Sequence, residues 1–204
     1  MNFKGCFLLV VVGVIGLAVV LGIYGVSAYN GLVGAKQNVD AQWADVENVY
    51  QRRADLIPNL VKTVEGAASF EKSTLTEITN ARASVGQIKL NGAPDAQQLE
   101  QFEKAQSGLG GALSRLLVVS ERYPDLKANQ GFMSLQTQLE GSENRITVER
   151  GKFNDVVKDY NTRINKLPTL FIARLMGYTE RGYFKSTEGA DRPPEVKFDF
   201  GSKK

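Results

Sequence analysis

The chain has 204 residues, 43% of them hydrophobic and 23% charged, which excludes a disordered tail. Its net charge is +3 with acids and bases interspersed, too mild and too scattered for a nucleic-acid-binding surface. It has no histidine, the commonest general acid–base and transition-metal ligand, and its one cysteine, Cys6, allows neither an intrachain disulfide nor a thiolate metal site.

After a short segment at 1–4, the run from Cys6 to Ala28 carries no charge. Its roughly 23 helical residues span about 34 Å, enough to cross a ~30 Å hydrocarbon core. The expectation is a retained transmembrane helix over 5–28. Two other readings compete. "VSA" before Tyr29 loosely fits a signal-peptide cleavage site, but the apolar run exceeds the usual 7–15 residues of such a peptide. Cys6 precedes the apolar run, whereas a lipoprotein cysteine follows one. Lys4 lies before the span, and Lys36 is the nearest base after it. That arrangement favours an inside N-terminus, a single-pass cell-membrane protein and an extracytoplasmic (periplasmic) helical domain. Ala18, Gly22 and Gly25 fall on one side of the span, with Gly13, Gly16 and Ser27 nearly opposite. Small faces let membrane helices approach closely, although glycine is also simply frequent there.

From 29 to 177 the pattern is that of a helical bundle. Leu32, Val39, Trp43, Val46, Tyr50, Ile57, Leu60 and Val64 form a seam, with Lys36 and Arg53 as its polar exceptions. Pro58 interrupts this helix. It leaves the Ala54 carbonyl without its usual donor, and the expected result is a kink, with Asn59 capping the restarted helix and Arg52 or Asp55 reaching neighbouring groups. The alternative is that the polar edge of the kink meets another subunit. A shorter helix follows with Leu75, Ile78 and Val85 on its seam; "LNGAPD" (90–95) is a turn with Asp95 as N-cap.

The third helix carries Leu99, Phe102, Leu109, Leu113, Leu116 and Tyr123. Gly108, Gly110 and Gly111 suggest close helix packing, since neither the strand nor the lysine of a phosphate loop accompanies them. "RYPDLKAN" (122–129) breaks that helix. The fourth carries Phe132, Leu135, Leu139, Ile146, Phe153, Val156, Tyr160 and Leu167, with Glu149 on its seam as the expected partner of Arg53. A buried pair of this kind specifies register while adding little net stability. Phe153-Asn154 and Tyr160-Asn161 recur seven residues apart on one face, read as core aromatics with edge asparagines or as a polar ladder for a neighbour. Pro168 ends this helix or restarts a short one, which Gly177 closes.

The remainder, 178–204, is expected to be an extended tail. Within "PPEVKFDF" (193–200), Val196, Phe198 and Phe200 alternate onto one side, fit for a strap on the bundle or a strand shared with another copy.

Five stretches in this order resemble the LemA family of membrane-anchored helical proteins: "YNGLVGAKQNVDAQW" (29–43), "RRADLIPNLVKTVEG" (52–66), "ANQGFMSLQTQLEGSENRI" (128–146), "FNDVVKDYN" (153–161) and "PPEVKFDF". The family pattern often has a tyrosine and a histidine shortly after the glycine closing the second stretch; this chain has Ala67 and Phe70 in those places. The resemblance implies a membrane anchor and an antiparallel helical bundle, without a defined catalytic residue. It also implies a link to membrane organisation, magnetosome membranes included, and to the neighbourhood of membrane proteases.

The resulting expectation is an all-α protein: an N-terminal transmembrane helix, a long antiparallel bundle and an extended C-terminal tail. No catalytic, cofactor-binding or metal-ligating set can be assembled from the residues, so the protein is read as no enzyme. The function expected is a membrane scaffold that self-associates and organises or remodels membrane, with the lipid bilayer and its own copies as partners. The alternatives are an adaptor or regulator of another membrane protein, such as a quality-control protease, and a secreted binding module cleaved after Ala28.

Overall fold

One helix carries both the apolar N-terminal segment and the first wall of the bundle. In the computed structural model, which describes residues 3–66 and 71–185, α1 runs Phe3–Glu65. Its 63 residues make a rod of about 95 Å. The other elements are α2 (Lys72–Gly86), α3 (Ala96–Ser120), α4 (Pro124–Lys127), α5 (Gln130–Asn165) and α6 (Thr169–Leu175). The fold is all-α, with no strand among the described residues. The tail positions Val196, Phe198 and Phe200 lie outside the described residues, as do Ala67 and Phe70.

Directions follow from side-chain pairs. Arg115 and Arg122, in and just beyond α3, pair with Glu77 and Glu71, so α2 and α3 are antiparallel. Arg53 meets Glu143 while Trp43 meets Phe153, so α5 runs back along α1. The long helices α1, α2, α3 and α5 thus alternate up and down, as short connections dictate. The α1–α5 pair is the most extensive, and α2 packs mainly on α3. Between α3 and α5 the backbones stay apart, so the bundle is open on that side.

The core divides in two. One part gathers Leu32, Val39, Trp43, Val46, Phe102, Phe153 and Tyr160. Trp43 stands edge-on to Phe102 at 5.3 Å and to Phe153 at 5.4 Å, a geometry the ring quadrupoles favour. The other part gathers Ile57, Leu60, Ile78, Leu109, Leu116, Phe132 and Leu139.

Every apolar residue expected on the α1 seam is buried. Lys36 is exposed and Ala35 takes its place: both stand one turn from Leu32 and Val39, and burial of an unpaired ammonium is costly. On α5, Val157 is buried where Val156 was expected. Leu167 is 64% exposed because the helix has ended at Asn165 and its period no longer places that side chain. Gly108, Gly110 and Gly111 do not mark close packing, since a Cβ built on any of them meets nothing within 4 Å.

Local signals fix the ends. Asp95 forms a capping box with Gln98, as expected for an N-cap. Asn129 caps α5 by accepting from the Phe132 N–H. Gly92 turns the chain at φ +86°, which brings the Ala93 N–H to Asp40 Oδ1 at 3.1 Å and ties the turn to α1. Gly177 closes α6 with φ +72°.

Candidate functional site

Arg53 lies three residues after Tyr50 and four before Ile57, so helical period directs it inward. It is 3% exposed and separates the two core clusters. Nη1 donates to Glu143 Oε1 at 2.6 Å, and Nη2 donates to the Gln106 side-chain oxygen. The guanidinium also stands over the Tyr50 ring, 5.2 Å from its centroid. Gln106 is itself buried, so α1, α3 and α5 each contribute to one polar layer. Burial is the main influence pushing the Tyr50 phenol up from its ordinary pKa.

The expected partner Glu149 does not reach Arg53. It stands about 9 Å further along α5 than Glu143. There it accepts from Gln42 at 2.8 Å and from Lys152 at 2.9 Å, and the Lys152 hydrogen bond chiefly holds its carboxyl below the usual range.

Above Arg53, on the open α3–α5 side, lies a groove of about 690 Å³. Tyr50 and Arg53 line it from α1, Glu103, Gln106, Gly110 and Gly111 from α3, and Glu143 and Arg150 from α5. Arg150 closes one end. Its Nη2 donates to Glu103 at 2.7 Å and to the Lys185 carbonyl at 2.9 Å, and its guanidinium lies 4.6 Å from the Phe184 ring centroid. The groove therefore presents paired charges and amides to solvent.

Asn154 and Asn161 receive the chain's own C-terminal segment. Asn161 accepts from the Arg181 N–H and donates to the Arg181 carbonyl, both at 2.9 Å. Asn154 does the same with Phe184, also at 2.9 Å each way. Seven helical residues rise about 10.5 Å and three extended residues about 10 Å, so the two repeats match. The asparagines thus act as a strand edge built on a helix, and the ladder that sequence spacing suggested binds this same chain. Further ties hold residues 178–185 on the bundle as a strap, ahead of the 193–200 stretch expected to be one, which lies outside the described residues. Tyr160 donates to the Thr179 carbonyl, and Arg181 donates to the Ala93 carbonyl, each at 2.8 Å. Gly182 passes so close to α3 that a Cβ there would lie 2.8 Å from Ala96 Cα. Phe184 stacks on Trp43 at 6.2 Å.

Around Pro58 the helix continues unbroken, so Asn59 does not cap a restarted one. The carbonyl that the proline frees, Ala54 O, accepts from Arg82 Nε of α2 at 3.1 Å. Asp55 accepts from Gln51 at 2.7 Å on the exposed side. Sequence reasoning missed Arg82, Gln106 and Glu143. Gln106 alone left a trace, standing at the seam step between Phe102 and Leu109.

Gly22 and Gly25 lie on the apolar stretch of α1, where a Cβ built on either meets nothing within 4 Å. That stretch is long and apolar enough to cross a membrane. Among the described residues no cluster of acidic or cysteine side chains suits a metal ion.

The sequence profile of the LemA family matches residues 42–198. The magnetosome protein MamQ 2 of Paramagnetospirillum magneticum is 29% identical, over 81% of this chain and 67% of its own length. MamQ of Magnetospirillum gryphiswaldense is 28% identical over the same shares. Protein LemA of Metamycoplasma hominis is 21% identical, over 70% of this chain and 62% of its own length.

Proposed function

Since the chain belongs to the LemA family, we propose that it is a single-pass membrane scaffold whose copies associate and organise the bilayer, without catalysing a reaction. The observation that carries this is the continuity of α1. A helix continuous from the apolar segment into the bundle couples the orientation of the two, so contacts between bundles and contacts within the membrane reinforce one another. Gly22 and Gly25 leave room for a second helix to approach. Relatives named as magnetosome proteins support a role in membrane organisation. The bundle is assigned to the extracytoplasmic side because Lys4 precedes the apolar run.

The open groove between α3 and α5 favours a second reading, in which the bundle is an adaptor or regulator that receives another membrane protein. Sizing of the full-length protein in detergent separates the two. Assemblies of many copies support the scaffold; a lone chain under all conditions supports the adaptor.

A further inference from the structure

Part of the apolar surface that the bundle leaves uncovered gathers beside the N-terminal span, while Val118, Met133 and Val148 are exposed on α3 and α5. Leu167, Phe171 and Leu175 are 64%, 69% and 86% exposed, and Met176 is 51% exposed. Phe171 and Leu175, four residues apart, stand on one face of α6, and Leu167 lies exposed on its approach. The opposite side of α6 is fixed, with Ala173 buried and Ile172 packed on the Trp43 core.

The place of this strip identifies its occupant. The Thr169 hydroxyl lies 3.4 Å from that of Tyr24, within the apolar run of α1. Tyr24 and Tyr29 are each 40% exposed at that level, where a bilayer interface favours tyrosine. Lys166 and Arg174 flank the strip and are exposed. Long basic side chains of this kind reach back to headgroups while their stems lie on apolar surface.

We propose that α6 and its approach form a second membrane contact, lying in the interfacial layer of the bilayer that the N-terminal segment crosses. Acyl chains cover Leu167, Phe171 and Leu175, and lipid phosphates meet Lys166 and Arg174. The inference rests on the reading of the apolar segment as a span. It adds that the bundle is held at a set depth and tilt, because a helix entering the membrane at one point and a strip touching it at another define a plane.

The test uses full-length protein in nanodiscs of mixed phosphatidylcholine and phosphatidylglycerol. Single nitroxide labels are placed on a Cys6→Ser background at Phe171→Cys and Leu175→Cys, with Val19→Cys in the span and Val148→Cys on α5 as references. Labels at 171 and 175 are expected to collide severalfold more with oxygen than with a water-soluble nickel complex, as at 19, whereas 148 shows the reverse. Labels at 171 and 175 that behave like 148, with 19 in lipid, overturn this inference alone. Labels shielded from both reagents indicate a protein cover and also overturn it. A label at 19 that meets nickel overturns the span and the strip together.

Discussion

Arg53 is held by geometry and not by water, since it is 3% exposed while its partner Glu143 is half exposed. The two sides of the pair therefore differ in what their loss leaves behind. Removal of Glu143 leaves a buried guanidinium with only Gln106 and the Tyr50 ring, so Glu143→Ala is expected to cost about 3 kcal/mol, the low end for breaking a buried pair. Replacement of the buried members together, Arg53→Met with Gln106→Leu, leaves no buried side chain of this layer charged or unpaired and is expected to cost much less. Urea unfolding of both variants decides. A double variant costlier than Glu143→Ala would mean that the layer stabilises through the strength of its bonds, not through register. The sequence announced Arg53, because a charge on an apolar seam stands out. It did not announce Glu143, which looks like any surface acid. Which carboxylate meets Arg53 depends on how far α5 slides along α1, and loops set that slide. Glu149 lies on the same helix about 9 Å too far along.

Within α1, the proline is compatible with an unbroken helix because α2 supplies the missing donor. Pro58→Ala restores an N–H to Ala54 O and makes Arg82 redundant. Arg82→Ala should cost about 0.5 kcal/mol in the natural chain, near the low end for an exposed hydrogen bond, and nothing in the Pro58→Ala background. Additive costs in the double-mutant cycle would remove Arg82 from the explanation. For the strap, Asn161→Ala should raise amide exchange at Arg181 about fivefold, the equivalent of about 1 kcal/mol, and Asn154→Ala should do the same at Phe184. Unchanged protection at both amides would show that packing of Phe184 and Gly182 suffices. The helices themselves were legible, because Leu32 to Val64 keep helical period and Asp95 and Gly177 mark ends. The docking of residues 178–185 was half legible. The asparagine spacing was visible, but residues 178–185 have no period of their own and borrow their conformation from α5. The glycines at 108–111 misled because a small residue fits both a tight interface and an open groove wall.

At the scale of the molecule, a rod of about 95 Å joins an apolar segment to a bundle with one open side. The strap closes one end of that opening, with Arg150 gripping the Lys185 carbonyl. The small-residue face of the span has room for a further helix, since a Cβ built on Gly22 or Gly25 meets nothing within 4 Å. The proposed self-association through that face joins the membrane reading to the scaffold reading. Light scattering of the full-length protein in mild detergent, beside Gly22→Leu and Gly25→Leu, tests it most directly. The natural chain is expected to form assemblies of several copies, and each leucine variant to shift them toward smaller species while helical content and unfolding midpoint stay unchanged. A natural chain that is monomeric across detergents and concentrations would contradict the scaffold, and assemblies indifferent to both leucines would place the association outside the span.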